Sequence, residues 1–245
     1  MKILTFGSCL SRYTAETYID MFGGTLISCS HHNRIDRFVD IHIKKSNKAI
    51  PFDYLSSIGL SNENMRYINN QYSEGTLGKH LLPSGKEFFN ALPKADMIIL
   101  DNFVDLCSKL QLSKSYPNSS IFFNSKNDPV AEKNFKLESS YLPIEDAIKN
   151  WDYFVNYLSK ISPNAKIFFI NFPYNHSVNS LTAERSKEFS GKFSSTRLDV
   201  IPNIPVPPRY QLKHTQSHFM NDFYAMYAGI LNFRVRELNL TTPRR

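Results

Sequence analysis

The sequence predicts an α/β protein, a three-layer α/β/α sandwich around a five-stranded parallel sheet. Three observations carry that prediction. Short apolar runs alternate with amphipathic stretches along the chain. Residues 2–28 hold a strand, a helix and a second strand in one compact unit, and strands joined that way lie parallel. The run 96–101, DMIILD, is apolar at consecutive positions, as a strand covered on both faces requires.

The elements follow in order. Residues 2–6 (KILTF) form the first strand, which ends at Gly7. Leu10, Tyr13, Tyr18 and Met21 then fall at helical spacing, and Gly23-Gly24 stops that helix. Residues 25–28 make the second strand. Ile35, Phe38, Val39 and Ile43 suggest a short helix, and 62–72 a further one. The third strand is 96–101. Residues 108–143, rich in Ser, Asn and Pro, read as an excursion from the sheet and a substrate-facing lid. Residues 145–161 place Ile148, Trp151, Phe154, Val155, Leu158 and Ile161 on one helical face. Strands at 166–172 and 197–201 complete the sheet, around a helix at 181–193. A Pro-rich link, 202–208, leads to a last helix at 221–238. Its aromatics, Phe223, Tyr224, Tyr227 and Phe233, read as core packing. No linker or repeat divides the 245 residues, so a single domain is expected.

Composition narrows the function classes. With 42% hydrophobic residues the chain can build a core, and disorder is excluded. No apolar run reaches the roughly 18 residues of a membrane helix. The opening MKILTFGSCL turns polar too soon for a secretory leader, and 3 cysteines make no disulfide framework. The expected location is cytoplasmic. A net charge of +7 points to an anionic partner. The basic residues are scattered and accompany no recognition-helix or RNA-binding signature, so nucleic acid is not the expected partner.

In a parallel sheet the ligand sits at the carboxyl ends of the strands. Ser8, Asp101-Asn102 and Phe172-Pro173 fall at such ends. Ser8 also starts a helix, whose N–H groups favour developing negative charge. A serine there can attack a carbonyl or simply cap the helix. His218, just before the last helix, is the side chain that could take its proton. Cys9 is an alternative nucleophile, because a thiolate at a helix N-terminus is stabilised. Cys29 and Cys107 read as core residues. His214 and His218, four apart, could ligate zinc on a helix, but no third ligand can be named and no metal is expected. His31 and His32 diverge and read as exposed, with Arg34 and Arg37 nearby forming a cationic wall for a phosphate or carboxylate.

Phe6-Gly7-Ser8-Cys9-Leu10-Ser11-Arg12 resembles the first block of the SGNH (GDSL-like) hydrolases, and more closely their divergent "GSC" branch, which includes proteins of bacterial polysaccharide loci. Asp101-Asn102 resembles the third block, and His218-Phe219 with Tyr224, Tyr227 and Ala228 resembles the last. Two departures stand out. Residues 30–35 lack the second block's glycine, and Thr215 occupies the place of the usual Asp three residues before the histidine. The resemblance implies an SGNH/flavodoxin-like fold, Ser8 as nucleophile and His218 as general base. It implies an oxyanion hole from the Cys9 region and Asn102. Thr215, Asp199 or Asp222 would orient the imidazole, and Arg34, His32 and His214 would contact substrate. The implied activity is serine-dependent O-acetyl transfer from acetyl-CoA to a bacterial surface polysaccharide, peripheral to a membrane-bound assembly complex. A carbohydrate esterase and a catalytically silent glycan-binding protein are the alternatives.

Overall fold

The computed structural model describes residues 1–72, 74–124, 128–174, 180–212, 215 and 217–241. In chain order it contains β1 (Lys2–Gly7), α1 (Cys9–Phe22), β2 (Thr25–His31), α2 (Ile35–Phe38) continued by a π-helical turn at Val39–Ile43, α3 (Phe52–Ser57), α4 (Asn62–Gln71) and α5 (Phe88–Ala91). Then follow β3 (Met97–Asp101), α6 (Phe103–Cys107), β4 (Gln111–Ser113), β5 (Ser120–Ile121), α7 (Pro129–Asn134) and β6 (Phe135–Leu137). The last elements are α8 (Ile144–Ile161), β7 (Lys166–Ile170), α9 (Ser180–Lys192), β8 (Asp199–Ile201) and α10 (Asn221–Thr241). None of the helices is long and apolar enough to cross a membrane among the described residues.

The main sheet is five-stranded and wholly parallel, in the order β2-β1-β3-β7-β8. This is the predicted α/β class. The chain steps outward from β1 to β2, then back past β1 to β3. The carboxyl ends of β1 and β3 therefore flank the point where the order reverses, which is where such sheets open a crevice. Ile3, Leu4 and Met97 to Leu100 are fully buried, because helices cover both faces. α1 packs along α10, while α8 packs along α2 and α9. Between sheet and helices lies an aromatic core. Phe6 meets Phe38, Trp151 and Phe154 with ring centroids 4.6, 5.9 and 4.8 Å away. Tilted and edge-on pairs of this kind add to the burial term. On α10, Phe223, Tyr224 and Tyr227 join the core as expected, whereas Phe233 is 58% exposed.

The excursion is more ordered than its composition suggests. β5, β4 and β6 form a small antiparallel sheet. With α3 and α4 it encloses a second apolar cluster that includes Leu55, Ile68, Tyr72, Phe123 and Phe135. Arg34 ties this unit to the main body. Its guanidinium bonds both carboxylate oxygens of Asp36 at 2.8 Å, and those of Glu138 at 2.5 and 3.0 Å.

Asp105 links the same region to α8. Its two oxygens accept from Ile35 N–H and Trp151 Nε1–H, both at 2.8 Å. Burial outweighs these bonds and pushes the carboxyl up from 3.8 to about 7. The folded state therefore holds this proton more tightly than the unfolded chain does. The resulting stability is complete below about pH 4 and is lost as pH rises towards 7. Urea midpoints measured from pH 4.5 to 8 should show this loss in the wild type but not in Asp105→Asn. Parallel pH curves for the two proteins would refute the assignment.

Candidate active site

Ser8 stands where β1 gives way to α1, at the N-cap of the helix. Its backbone is extended (φ −130°, ψ −166°), and its Oγ accepts from Leu10 N–H at 3.1 Å. Asp101, at the end of β3, holds the turn from the neighbouring strand. Its Oδ2 accepts from the N–H groups of Ser8 (2.8 Å) and Ser11 (3.0 Å), and its Oδ1 from Phe103 N–H (3.1 Å). Burial pushes the Asp101 carboxyl up, against the pull of these N–H bonds. Gly7 makes the approach possible. At φ +149° it has a conformation that L side chains rarely adopt, and a Cβ there would stand 2.4 Å from Asp101 Oδ2. Of the first-turn N–H groups of α1, that of Cys9 has no acceptor among the described residues.

His218 reaches the same cleft from the other end of the chain. Its position is set by Phe219, which is buried against Phe172 and Phe223. Phe219 N–H donates to Tyr224 Oη at 3.1 Å, and Phe219 also forms a bridge to Gln211. Thr215 Oγ1 lies 3.2 Å from His218 Nδ1 and accepts from Ser217 N–H at 3.2 Å. A hydroxyl oxygen there can accept from Nδ1–H, which leaves Nε2 as the ring's acceptor. Burial pushes the His218 pKa down, so the imidazole is neutral near pH 7. Of the three groups expected to orient it, Thr215 is the one in contact. Asp199 instead faces Arg234 at 3.6 Å, and Asp222 is exposed in the first turn of α10.

Ser8 and His218 line one cleft of about 410 Å³. Cys9, Arg12, Tyr13, His31 and His32 form part of its wall, and Arg66, Tyr67 and Asn70 of α4 form another part. Phe122, from the excursion, closes onto it. His31 and His32 are therefore not the exposed pair that their sequence suggests. His31 is 1% exposed, and His32 Nδ1 lies 2.9 Å from Asn70 Nδ2. Desolvation pushes His31 well below the usual histidine range and His32 to about 4. A neutral His32 can accept the amide's N–H.

Other expectations need correction. Arg34 does not reach the cleft, because Asp36 and Glu138 consume its guanidinium. Arg37 lies with it beside a separate cavity, so the pair forms no cationic wall at the site. Cys9 is not an activated thiol. Burial, reinforced by the Asp101 carboxylate, pushes it up to about 11, which overrides the effect of the helix terminus. Cys29 is buried and Cys107 partly buried. Asn102 does not line the cleft. Phe172 N–H donates to its Oδ1 at 2.9 Å, and its Nδ2 is buried without an acceptor among the described residues. His214 lies outside the described residues. Among those described, no group of three His, Cys, Asp or Glu side chains could hold a metal ion.

The reading of the sequence missed Asp101's hold on the Ser8 turn and the entire α4 wall. Asp101 carried a signal, a charged residue closing an apolar strand. Arg66, Tyr67 and Asn70 carried none, because only the tertiary fold brings α4 to Ser8.

No protein-family model matches the chain, and no curated protein matches it in sequence. Among solved structures it is similar to the lipase Lip_vut3 from a goat rumen metagenome, at 10% identity over 95% of this chain and 96% of that one, with a TM-score of 0.49. It is also similar to an acetyl xylan esterase from the rumen bacterium Butyrivibrio proteoclasticus, at 9% identity over 98% of this chain, with a TM-score of 0.48. A third is a carbohydrate esterase whose active site displays divergent catalytic and non-catalytic binding functions, at 12% identity over 96% of this chain, with a TM-score of 0.44. The chain spans 64% of the length of each of these two esterases. Likenesses at this level assign no role to any residue of this chain.

Proposed function

We propose that the protein is a serine-dependent acyl-group enzyme. One observation carries the reading: a serine at a helix N-cap and a neutral histidine with Thr215 on its Nδ1 line one cleft. Ser8 Oγ attacks the acyl carbonyl and passes its proton to His218 Nε2. The carbonyl electron pair moves onto oxygen, and Cys9 N–H donates a hydrogen bond to the oxyanion so formed. Asn102, the other donor expected from the sequence, lies behind the cleft wall with its Nδ2 buried, so it is given no part in this step. Collapse of the adduct expels the alcohol or thiol, which takes the proton back from His218. An acceptor hydroxyl then resolves the acyl-serine by the same steps in reverse.

The finer reading is O-acetyl transfer from acetyl-CoA to a hydroxyl of a bacterial surface polysaccharide, in the cytoplasm and beside a membrane-bound assembly complex. A carbohydrate esterase uses the same groups with water as acceptor, whereas a silent glycan-binding protein would form no acyl-serine. Brief exposure to 4-nitrophenyl acetate or acetyl-CoA, acid quench and peptide mass spectrometry test the proposal. An acetyl group on the Ser8 peptide is expected. Its absence with both donors, while ligand is still bound, would favour the silent protein. Acceptor polysaccharide that drains the acyl-serine faster than water does would mark a transferase.

Thr215 bears on rate. A hydroxyl orients the ring but leaves the developing imidazolium uncompensated, whereas a carboxylate would do both. Thr215→Asp should raise kcat/KM for 4-nitrophenyl acetate by about tenfold. It should also move the acid limb of the pH profile upward, because a carboxylate raises the histidine pKa. A pH profile unchanged from wild type would show that residue 215 does not act through His218.

A further inference from the structure

We propose that the face of α4 carrying Arg66, Tyr67 and Asn70 is an anion-recognising subsite, so that the substrate bears a carboxylate or phosphate that reaches this wall of the cleft. The inference rests on the cleft being the substrate site and names the substrate class that it takes. Among the described residues the cleft wall contains two arginines and no Asp or Glu. Arg12 is neutralised by Glu16, with Nε 2.7 Å from Oε1. Arg66 is exposed and has no ion-pair partner among the described residues. Its guanidinium lies 5.9 Å from the centre of the Tyr67 ring, over the ring face, at the outer reach of a cation–π contact. Arg66 lines the same cleft as Ser8 and His218, so an anion held on it would share that cleft with the reacting group.

The rest of the wall suits a hydroxylated ring. Tyr67 and Phe122 meet at 74° with centroids 5.7 Å apart, and the Oδ1 of Asn70 beside them has no partner among the described residues. The opposite face of α4 explains why the wall is firm. Ile68 and the adjoining Tyr72 are buried in the second apolar cluster, so the helix cannot turn without opening that core. A planar guanidinium on a rigid helix, facing a cleft without competing acids, matches a two-oxygen anion. Two sources share that chemistry, a sugar acid and the phosphates of an acyl carrier.

Binding tests the subsite separately from catalysis. The full chain is titrated by calorimetry with tetragalacturonate, coenzyme A and neutral maltotetraose, in wild type, Arg66→Gln, Arg66→Lys and Lys149→Gln. Lys149 is an exposed lysine on the outer side of α8 and controls for general charge. At least one anion should bind about tenfold more tightly than maltotetraose. Arg66→Gln should lose that margin, Arg66→Lys should keep part of it, and Lys149→Gln should keep all of it. Preference for tetragalacturonate identifies a sugar acid, and preference for coenzyme A a carrier phosphate. Equal binding of the neutral sugar, unchanged affinity in Arg66→Gln, or no binding by any probe would each overturn the proposal. Ser8→Ala should retain the anion preference. Anion binding by a protein that never forms an acyl-serine would therefore leave this inference standing while the catalytic reading fell.

Discussion

Ser8→Ala is expected to lower the rate of 4-nitrophenyl acetate cleavage at least 10³-fold while costing only about 1 kcal/mol of stability. The two effects have separate origins. Ser8 is 3% exposed, and its Oγ caps α1 by accepting from Leu10 N–H, so alanine removes one capping bond. The main anchor of the turn is untouched, because Asp101 binds the backbone N–H groups of Ser8 and Ser11. The chemistry, by contrast, has no substitute nucleophile. Cys9 is adjacent, but a thiol pushed up to about 11 supplies almost no thiolate at neutral pH. Cys9→Ala should therefore stay within a few-fold of wild type. Initial rates alongside thermal melts by circular dichroism check both variants. A dead Cys9→Ala with an active Ser8→Ala would move the nucleophile by one residue.

That neighbouring pair shows where the sequence was legible. The strands were plain because a parallel sheet covered on both faces needs continuous apolar runs, and Met97 to Leu100 is such a run. The long helix at 144–161 was plain because its six apolar residues repeat at helical spacing. Ser8 was visible because a strand end followed by a helix start is a local pattern. Local patterns also misled. Arg34 and Arg37 look like a cationic wall in sequence, yet Arg34 is neutralised by Glu138, 104 residues away. His31 and His32 look exposed, yet His31 is buried at the end of β2 and Tyr67 of α4 and Phe122 pack on His32. Cys9 follows the rule for helix termini only until burial is counted. The small sheet of the excursion has strands of two or three residues, among them the exposed Leu112 and Leu137, so no apolar period marks it. For Arg34 and His32 a deciding partner lies far along the chain, Glu138 in one case and Phe122 in the other.

Gly7→Ala should be the most damaging single-methyl change near the site, costing about 3–5 kcal/mol. Two penalties combine. Residue 7 has φ +149°, which strains any L residue, and the new Cβ would lie 2.4 Å from Asp101 Oδ2 and 2.9 Å from the Asp101 carbonyl oxygen. Relief requires Asp101 to withdraw, and withdrawal frees the N–H groups of Ser8, Ser11 and Phe103 together. Activity should therefore fall with stability, because the same carboxylate that the methyl displaces holds the turn under Ser8. A double-mutant cycle with Asp101→Ala separates the penalties. The clash with the carboxylate is absent once that side chain is gone, so the double variant should be less destabilised than the sum of the singles by about 1–3 kcal/mol. The strain at φ +149° and the contact with the carbonyl oxygen would remain. Strict additivity in urea unfolding would mean that Gly7 serves its backbone angle and its close approach to the Asp101 carbonyl, not the carboxylate. A positive coupling would mean that the glycine before the nucleophile is required so that a carboxylate from β3 can reach across and fix the first turn of α1.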